Sequence, residues 1–337
     1  MKNLKILDIN FVLIGLSKHS RIDKIFEKIK CHATSDHGLV TQIFLLEKLL
    51  LNEQNSQFYD SLAIKSCLKV GGQPNIIDMR YWNVFPFDPE STMVVGTSFY
   101  HFKLDNIGQH LFSHSIVTSM DRNFSQYVSM ERVSTKPNDK NIFEKIFRNL
   151  LQEYHKEHGK YPQNIILFHG KKYTDLKPVV VSFDKQIKVT SFSIDKYSPI
   201  RLFKNDGEKV PIGTSVNLDF QQSILDRSVR EFAICNQIGA ESVRYKTTKY
   251  VVINDDVRMS ENHIKHVCYA MCHYYFDNFC VNDVPFPLEL AQQFAKKAAR
   301  RCIGRNEANP LDSIEEIVKN FSGMVRVHEN LEYSIDE

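Results

Sequence analysis

Lys65 and Lys69 stand four residues apart in a stretch of helical periodicity, so their ammonium groups fall on one face, one turn apart. Like charges at that spacing repel unless an anion lies between them or water solvates the face, and the spacing leaves both readings open. The segment from Lys296 to Arg305 carries five basic residues and no acidic one, a second place for an anion. His263, His266, Cys268, Cys272 and His273 form the densest set of metal-ligating types, but no CxxC pair occurs, and a packed helix explains them better than zinc. Gly170-Lys-Lys-Tyr-Thr lacks the upstream glycine of a phosphate-binding loop, and Gly71-Gly72 lacks the dinucleotide fingerprint.

The chain has 337 residues, enough for two ordinary domains with buried cores. Lys and Arg number 43 against 40 Asp and Glu, a net charge of +3, which excludes a globally polycationic nucleic-acid coat. Anion binding must therefore come from local clusters. The apolar run Phe11 to Leu16 is far shorter than the roughly 20 residues of a membrane span, so neither a membrane helix nor a signal peptide is expected. Seven cysteines, an odd number scattered along the chain, do not resemble a disulfide framework. An intracellular setting, cytoplasmic or nuclear, is the expectation, and the sequons at Asn123 and Asn320 are then without consequence.

The elements that must position these side chains read as a strand at 10–15 and helices at 23–30, 41–51 and 59–70, the last stopped by Gly71-Gly72. Three of the eleven prolines and unpatterned aromatics fill 73–92, which places a boundary there. Strands follow at 93–100, 115–119, 126–133, 163–168, 187–192, 215–218 and 250–253. An amphipathic helix spans 139–156, and helices at 261–276 and 288–302 close the chain. The pattern is α/β, with no internal repeat.

Five stretches, in order, resemble the C-terminal half of the Argonaute/Piwi family, leaning to the Piwi branch. They are Cys67-Leu-Lys-Val-Gly-Gly72; Val94-Val-Gly-Thr-Ser-Phe-Tyr-His101, similar to V-G-I-D-x-Y-H; Ser115-Ile-Val-Thr-Ser-Met-Asp121 followed by Tyr127; Lys160-Tyr-Pro-Gln-Asn-Ile-Ile-Leu-Phe168, similar to the P-x-x-I-I-x-Y before R-D-G; and Met271-Cys-His-Tyr-Tyr275 with Val284-Pro-Phe-Pro287 and Ala291. The resemblance implies a partial Rossmann-like Mid domain at 1–80, a junction at 81–92 and an RNase H-like Piwi domain at 93–337.

It also implies a pocket for the 5′-phosphorylated end of a small guide RNA. Lys30, Gln42, Lys65 and Lys69 match the family's phosphate-gripping positions, with Gln42 expected to open a helix, and Lys297 matches a position reaching the same phosphate from the Piwi side. Phe26 stands where the family has a tyrosine stacked on the first base; a phenyl ring keeps the stacking and loses the hydroxyl. Arg244, Lys246 and Lys249 contact guide phosphates or line a solvated loop, two readings left equal.

Cutting members of the family hold two metal ions on acidic residues and a histidine, because in-line attack on a phosphodiester needs cations on both oxygens. The matching positions here are Ser98, Asn138, Gly170 and Gln292, none acidic. Asp139, Asp175 and Glu289 are the nearby carboxylates, displaced by one to five residues, and a one-residue step on a strand turns a side chain to the opposite face. The expectation is an Argonaute/Piwi-like protein that binds guide RNA without cutting, with no metal in the slicing site and no cofactor required, though the pocket leaves room for magnesium at the guide 5′-phosphate. Its partners would be the guide, its complementary target and proteins, one of which could supply the N-terminal lobe, because the chain starts within the Mid domain. An acidic tail after Leu331 would weaken nearby anion binding. The alternatives are an interaction scaffold that has lost guide binding and, less favoured, a nuclease using the displaced carboxylates.

Overall fold

The computed structural model describes residue 9 and residues 11–51, 56–73, 75–104, 108–171, 174–218, 230–238, 245–274, 281–305 and 313–324. The motif residue Tyr275, the expected helix end at Phe276, Arg244 and the acidic tail lie outside the described residues.

A small parallel pair opens the chain. Strand β1 (Phe11–Leu16) leads through helix α1 (Ile22–Cys31) to β2 (Val40–Leu45), with Phe11 opposite Val40 and Leu16 opposite Leu45. Here the expected helix at 41–51 is corrected. Val40-Thr41-Gln42-Ile43-Phe44 is rich in β-branched and aromatic residues, which suit a pleated surface, and only Leu46–Leu51 forms a helix, α2. Helix α3 (Ser56–Lys69) follows and packs Ile64 and Leu68 inward.

A short helix, α4 (Met79–Trp82), precedes an eight-stranded mixed sheet. Its strands are β3 (Thr92–Leu104), β4 (Gln109–Ser119), β5 (Tyr127–Ser134), β6 (Asn164–Gly170), β7 (Lys188–Asp195), β8 (Ser215–Asn217), β9 (Glu231–Ile238) and β10 (Tyr245–Asp255), in spatial order β5-β4-β3-β6-β7-β10-β9-β8. Strands β3, β6 and β7 are parallel neighbours; the other pairings are antiparallel.

Helix α5 (Lys140–His158) covers one face. Asp139 caps its start, its carboxylate accepting from the backbone N–H of Asn141 at 3.1 Å and Ile142 at 3.4 Å, and Gly159 ends it at φ 68°. Phe143, Ile146, Phe147, Leu150 and Leu151 are buried against Met93, Val95, Ile165 and Leu167, with helix α6 (Lys177–Phe183) beside them. The other face carries α7 (Glu261–Ala270) and the long α8 (Phe286–Arg305), against Val94, Ile166, Phe168, Phe192 and Tyr250. Helix α9 (Ile314–Met324) closes the edge, with Phe321 against Phe102 and Leu104. Backbone meets backbone where α8 crosses β3: a Cβ on Gly96 would lie 2.0 Å from the Pro287 carbonyl oxygen, so only glycine fits. No helix among the described residues is long and apolar enough to cross a membrane.

Candidate functional site

The first cluster forms where α1, β2 and α3 meet. Lys30, in the last turn of α1, and Lys69, at the end of α3, both donate to the backbone carbonyl of Thr41, Lys69 at 2.7 Å. Two ammonium groups thus converge on one oxygen near the start of β2. Gln42 is a strand residue, not the helix opener expected from sequence; it is buried and donates from its amide to the Ile43 carbonyl at 3.0 Å. A cavity of about 460 Å³ opens beside them, lined among others by Phe26, Gln42, Lys48, Phe58, Lys65 and Asp23.

Lys65 and Lys69 therefore divide their work, one facing the cavity and the other the Thr41 carbonyl. Phe26 lines the cavity, and the Arg300 guanidinium lies 5.8 Å from its ring centroid, a cation–π distance. Lys297 is on the same helix as Arg300, but its ammonium stands over Phe294 at 5.0 Å, and it is not among the residues around the cavity. Helices α8 and α1 touch closely, since Cys31 Sγ donates weakly to the Arg301 carbonyl at 3.6 Å. Burial pushes the Glu27 carboxyl above its ordinary range while Arg300 opposes the shift.

The five-residue basic run at 296–305 is not one patch. Arg301 is 2% exposed and turns into the core, with Nη2 3.4 Å from Glu131 on β5. Lys249 on β10 is likewise paired, its ammonium 2.6 Å from Glu231 on the neighbouring β9.

The second cluster sits across the middle of β3 and the carboxyl end of β6. Thr97 lies opposite His169 across β3 and β6, so Ser98 and Gly170, the next residues on parallel strands, stand side by side. Both share the parity of the residues that face α8, and α8 carries Gln292. Ser98 and Gly170 thus lie on the face covered by the helix that carries Gln292. Asn138 stands at the start of α5 with φ 51°, its side-chain oxygen accepting from the Thr174 hydroxyl at 2.8 Å. A Cβ on Gly170 would meet nothing within 4 Å.

The nearby carboxylates are engaged elsewhere. Asp139 caps α5, Asp175 accepts from the Lys177 N–H at 3.0 Å, and Glu289 accepts from Gln293 at 3.0 Å. Among the described residues no three His, Cys, Asp or Glu stand together as a metal site. A hydroxyl, two amides and a glycine do not fit a pair of hard divalent cations. The thiols on α7 and after it are core: Cys268 and Cys272 are fully buried, Cys272 donates to the Cys268 carbonyl at 3.3 Å, and burial pushes its thiol up to about 12.

The Piwi domain family matches residues 11–302. The chain belongs to the Argonaute/Piwi family. Among its relatives, "Protein argonaute-3" of Drosophila melanogaster is 25% identical over 273 residues, covering 77% of this chain and 30% of that protein. "Piwi-like protein 2" of Schmidtea mediterranea is 23% identical over 336 residues, covering 88% of this chain and 37% of that protein. This Piwi chain thus spans about a third of the length of these relatives. Its fold matches the C-terminal lobe of a budding yeast Argonaute, with a TM-score of 0.77 at 16% identity over 99% of this chain and 71% of that one. It also matches the Kluyveromyces polysporus Argonaute crystallised with a guide RNA, with a TM-score of 0.74 at 16% identity over 99% of this chain and 43% of that one. The α/β class and the RNase H-like sheet of the Piwi domain agree with these likenesses.

Three site residues escaped the sequence reading of this Piwi chain. Lys48 lines the cavity from α2, which was read as the middle of a longer helix. The Thr41 carbonyl is backbone, and no residue type announces it. Arg300 was counted in a basic run, and its place over Phe26 follows only from the docking of α8 on α1.

Proposed function

We propose that this chain binds the 5′-phosphorylated end of a small guide RNA in the cavity between α1, β2 and α3, and acts on a complementary target by recruiting protein partners, without cutting. The observation that carries the reading is the convergence of Lys30 and Lys69 on the Thr41 carbonyl, beside a cavity lined by Phe26, Gln42 and Lys65. A terminal phosphate carries about −1.5 to −2 charge at neutral pH. Clustered ammonium groups answer that charge, and a phenyl ring beside them suits an unpaired first base, since stacking on an aromatic face is worth about 1–3 kcal/mol. Magnesium at the phosphate would be an addition to the lysines, with Asp23 a carboxylate at hand in the lining. Lys297 would act from α8 beside Arg300. The absence of cutting is supported by the lack of a carboxylate at Ser98, Asn138, Gly170 and Gln292.

The test is fluorescence anisotropy with one short RNA carrying either a 5′-phosphate or a 5′-hydroxyl. The chain should prefer the phosphate, and the Lys65→Ala/Lys69→Ala double variant should lose that preference. Incubation of the guide-loaded chain with a labelled complementary strand and Mg²⁺ or Mn²⁺ should leave the strand whole. Equal binding of the two RNAs would sink the pocket reading, and a discrete cleavage product would sink the inactive one.

A further inference from the structure

The β3–β4 hairpin carries a line of rings on the face away from α8. Phe102, Leu104 and Leu111 pack on the α8 side, so alternation turns their strand neighbours the other way. The register sets Phe99 opposite His114, His101 opposite Phe112 and Lys103 opposite His110. By ring centroids, Phe143 of α5 lies 5.0 Å from His114, His114 6.0 Å from Phe99, Phe99 6.2 Å from Phe112, and Phe112 5.1 Å from His101. The inner end of this line is buried, whereas His101 and His110 at its outer end are exposed.

The last two rings meet edge to edge. His101 Nε2 and His110 Nδ1 are 2.8 Å apart, with the ring centroids 5.0 Å apart and the planes within 6°, which puts both nitrogens on the line between the ring centres. One proton fits between them, and an exposed hydrogen bond of this kind adds little to the fold. When the donor ring moves that proton to its other nitrogen, both facing nitrogens offer lone pairs. Imidazole nitrogen suits ions of the zinc, copper and nickel type rather than hard magnesium. Zinc takes each nitrogen at about 2.0–2.1 Å, so tetrahedral ligands stand about 3.3 Å apart. The rings therefore need to open by about half an ångström, within the broad χ2 range of histidine, while strand pairing and the Phe112 ring hold them in place. Lys103, opposite His110, is an exposed cation that weakens the attraction for a second one.

We infer that His101 and His110 form a solvent-open site for one divalent transition ion of the zinc class, with water in the remaining positions. The site is separate from the slicing positions, because Ser98 and Gly170 face α8 and the histidine pair faces the other way. It stands independently of the guide-binding reading. An ion here ties β3 to β4 near their last ladder pair, Leu104 and Gln109.

The experiment titrates Zn²⁺, with Mg²⁺ as the hard-ion control, into the untagged, metal-stripped chain and follows binding by calorimetry. The wild type should bind one more Zn²⁺ than His101→Ala/His110→Ala, with no such difference for Mg²⁺. Each single alanine variant should weaken that binding by about ten- to a hundred-fold, at least the loss seen when a ligand's supporting partner is removed, and Lys103→Ala should tighten it. Metal-free melting temperatures should match the wild type. Equal zinc uptake by the wild type and the double variant overturns the site. If the double variant melts early, His110→Cys decides: a thiolate in place of the imidazole should hold Co²⁺ with a sulfur-to-metal charge-transfer band that His101→Ala/His110→Cys lacks. Absence of the band from His110→Cys, or the same band in both variants, overturns the inference as well.

Discussion

Lys30 and Lys69 donate to the same backbone oxygen, that of Thr41, from the ends of two different helices. A shared acceptor makes their positions interdependent. Lys30→Ala and Lys69→Ala should each weaken binding of a 5′-phosphorylated RNA by about ten-fold, and the double variant by clearly less than the product. A double-mutant cycle on the measured affinities should give a coupling of at least about 0.5 kcal/mol. Strict additivity would mean that the two lysines act on separate groups.

Gly96 and Gly170 lie on neighbouring strands and should respond oppositely to a methyl group. Gly96→Ala forces backbone against backbone at Pro287, and overpacking of this kind costs about 1–3 kcal/mol or more. Gly170→Ala enters open space and should stay within about 0.5 kcal/mol of wild type. Urea unfolding measures both. The same open space admits the Ser98→Asp/Gly170→Asp pair, whose melting temperature should rise on addition of Mn²⁺ while that of the parent does not.

Two buried histidines make the fold sensitive to acid. His169 hydrogen-bonds Thr97 at 2.8 Å and His114 bonds Ser134 at 2.9 Å, and burial holds each near pKa 4. The folded state keeps them neutral, whereas the unfolded chain protonates them near 6.5, so it binds more protons between these values. Stability is therefore full above about pH 6.5 and falls as pH drops towards 4, by on the order of 3 kcal/mol for each histidine. Urea midpoints measured from pH 7 to pH 4 should show this slope, and His169→Gln should flatten it. An unchanged slope in that variant would contradict the assignment.

Glu131 and Arg301 form a buried pair, with Ser115 donating to the other carboxylate oxygen at 3.4 Å. Glu131→Leu removes the carboxylate from a buried guanidinium and should cost about 3–5 kcal/mol, whereas Glu131→Leu/Arg301→Met should recover most of that loss. Chemical denaturation of the three proteins decides it. If the double variant is no more stable than the single one, the pair is not the source of the loss.

The parts of the fold that follow local rules were legible before any coordinates. Helix α5 declared itself through the apolar stripe from Phe143 to Leu151, to which the structure adds the Asp139 cap and the Gly159 stop. The segment from Val40 to Leu51 did not, because its leucines continue across a change of secondary structure and only pairing with β1 decides that Val40–Leu45 is extended. Strand β9 and helices α6 and α9 were likewise unread, being short or held mainly by neighbours. At the site, Phe26, Gln42 and Lys65 were found as a set and share the cavity. The hydrogen bond from Lys196 to Gln292 was beyond reach, since it joins two elements that only the sheet brings together.

Helix α8 runs unbroken from Phe286 to Arg305 and touches both clusters, with Gln292 at the carboxyl ends of the large sheet and Arg300 over Phe26 beside the cavity. At 1.5 Å per residue the rise between those two positions is about 12 Å. The helix therefore fixes the spacing between the two clusters. A strand held at one end by its terminal phosphate would meet the sheet at a fixed distance along its length, set by covalent geometry and insensitive to hinge motion between the two sheets.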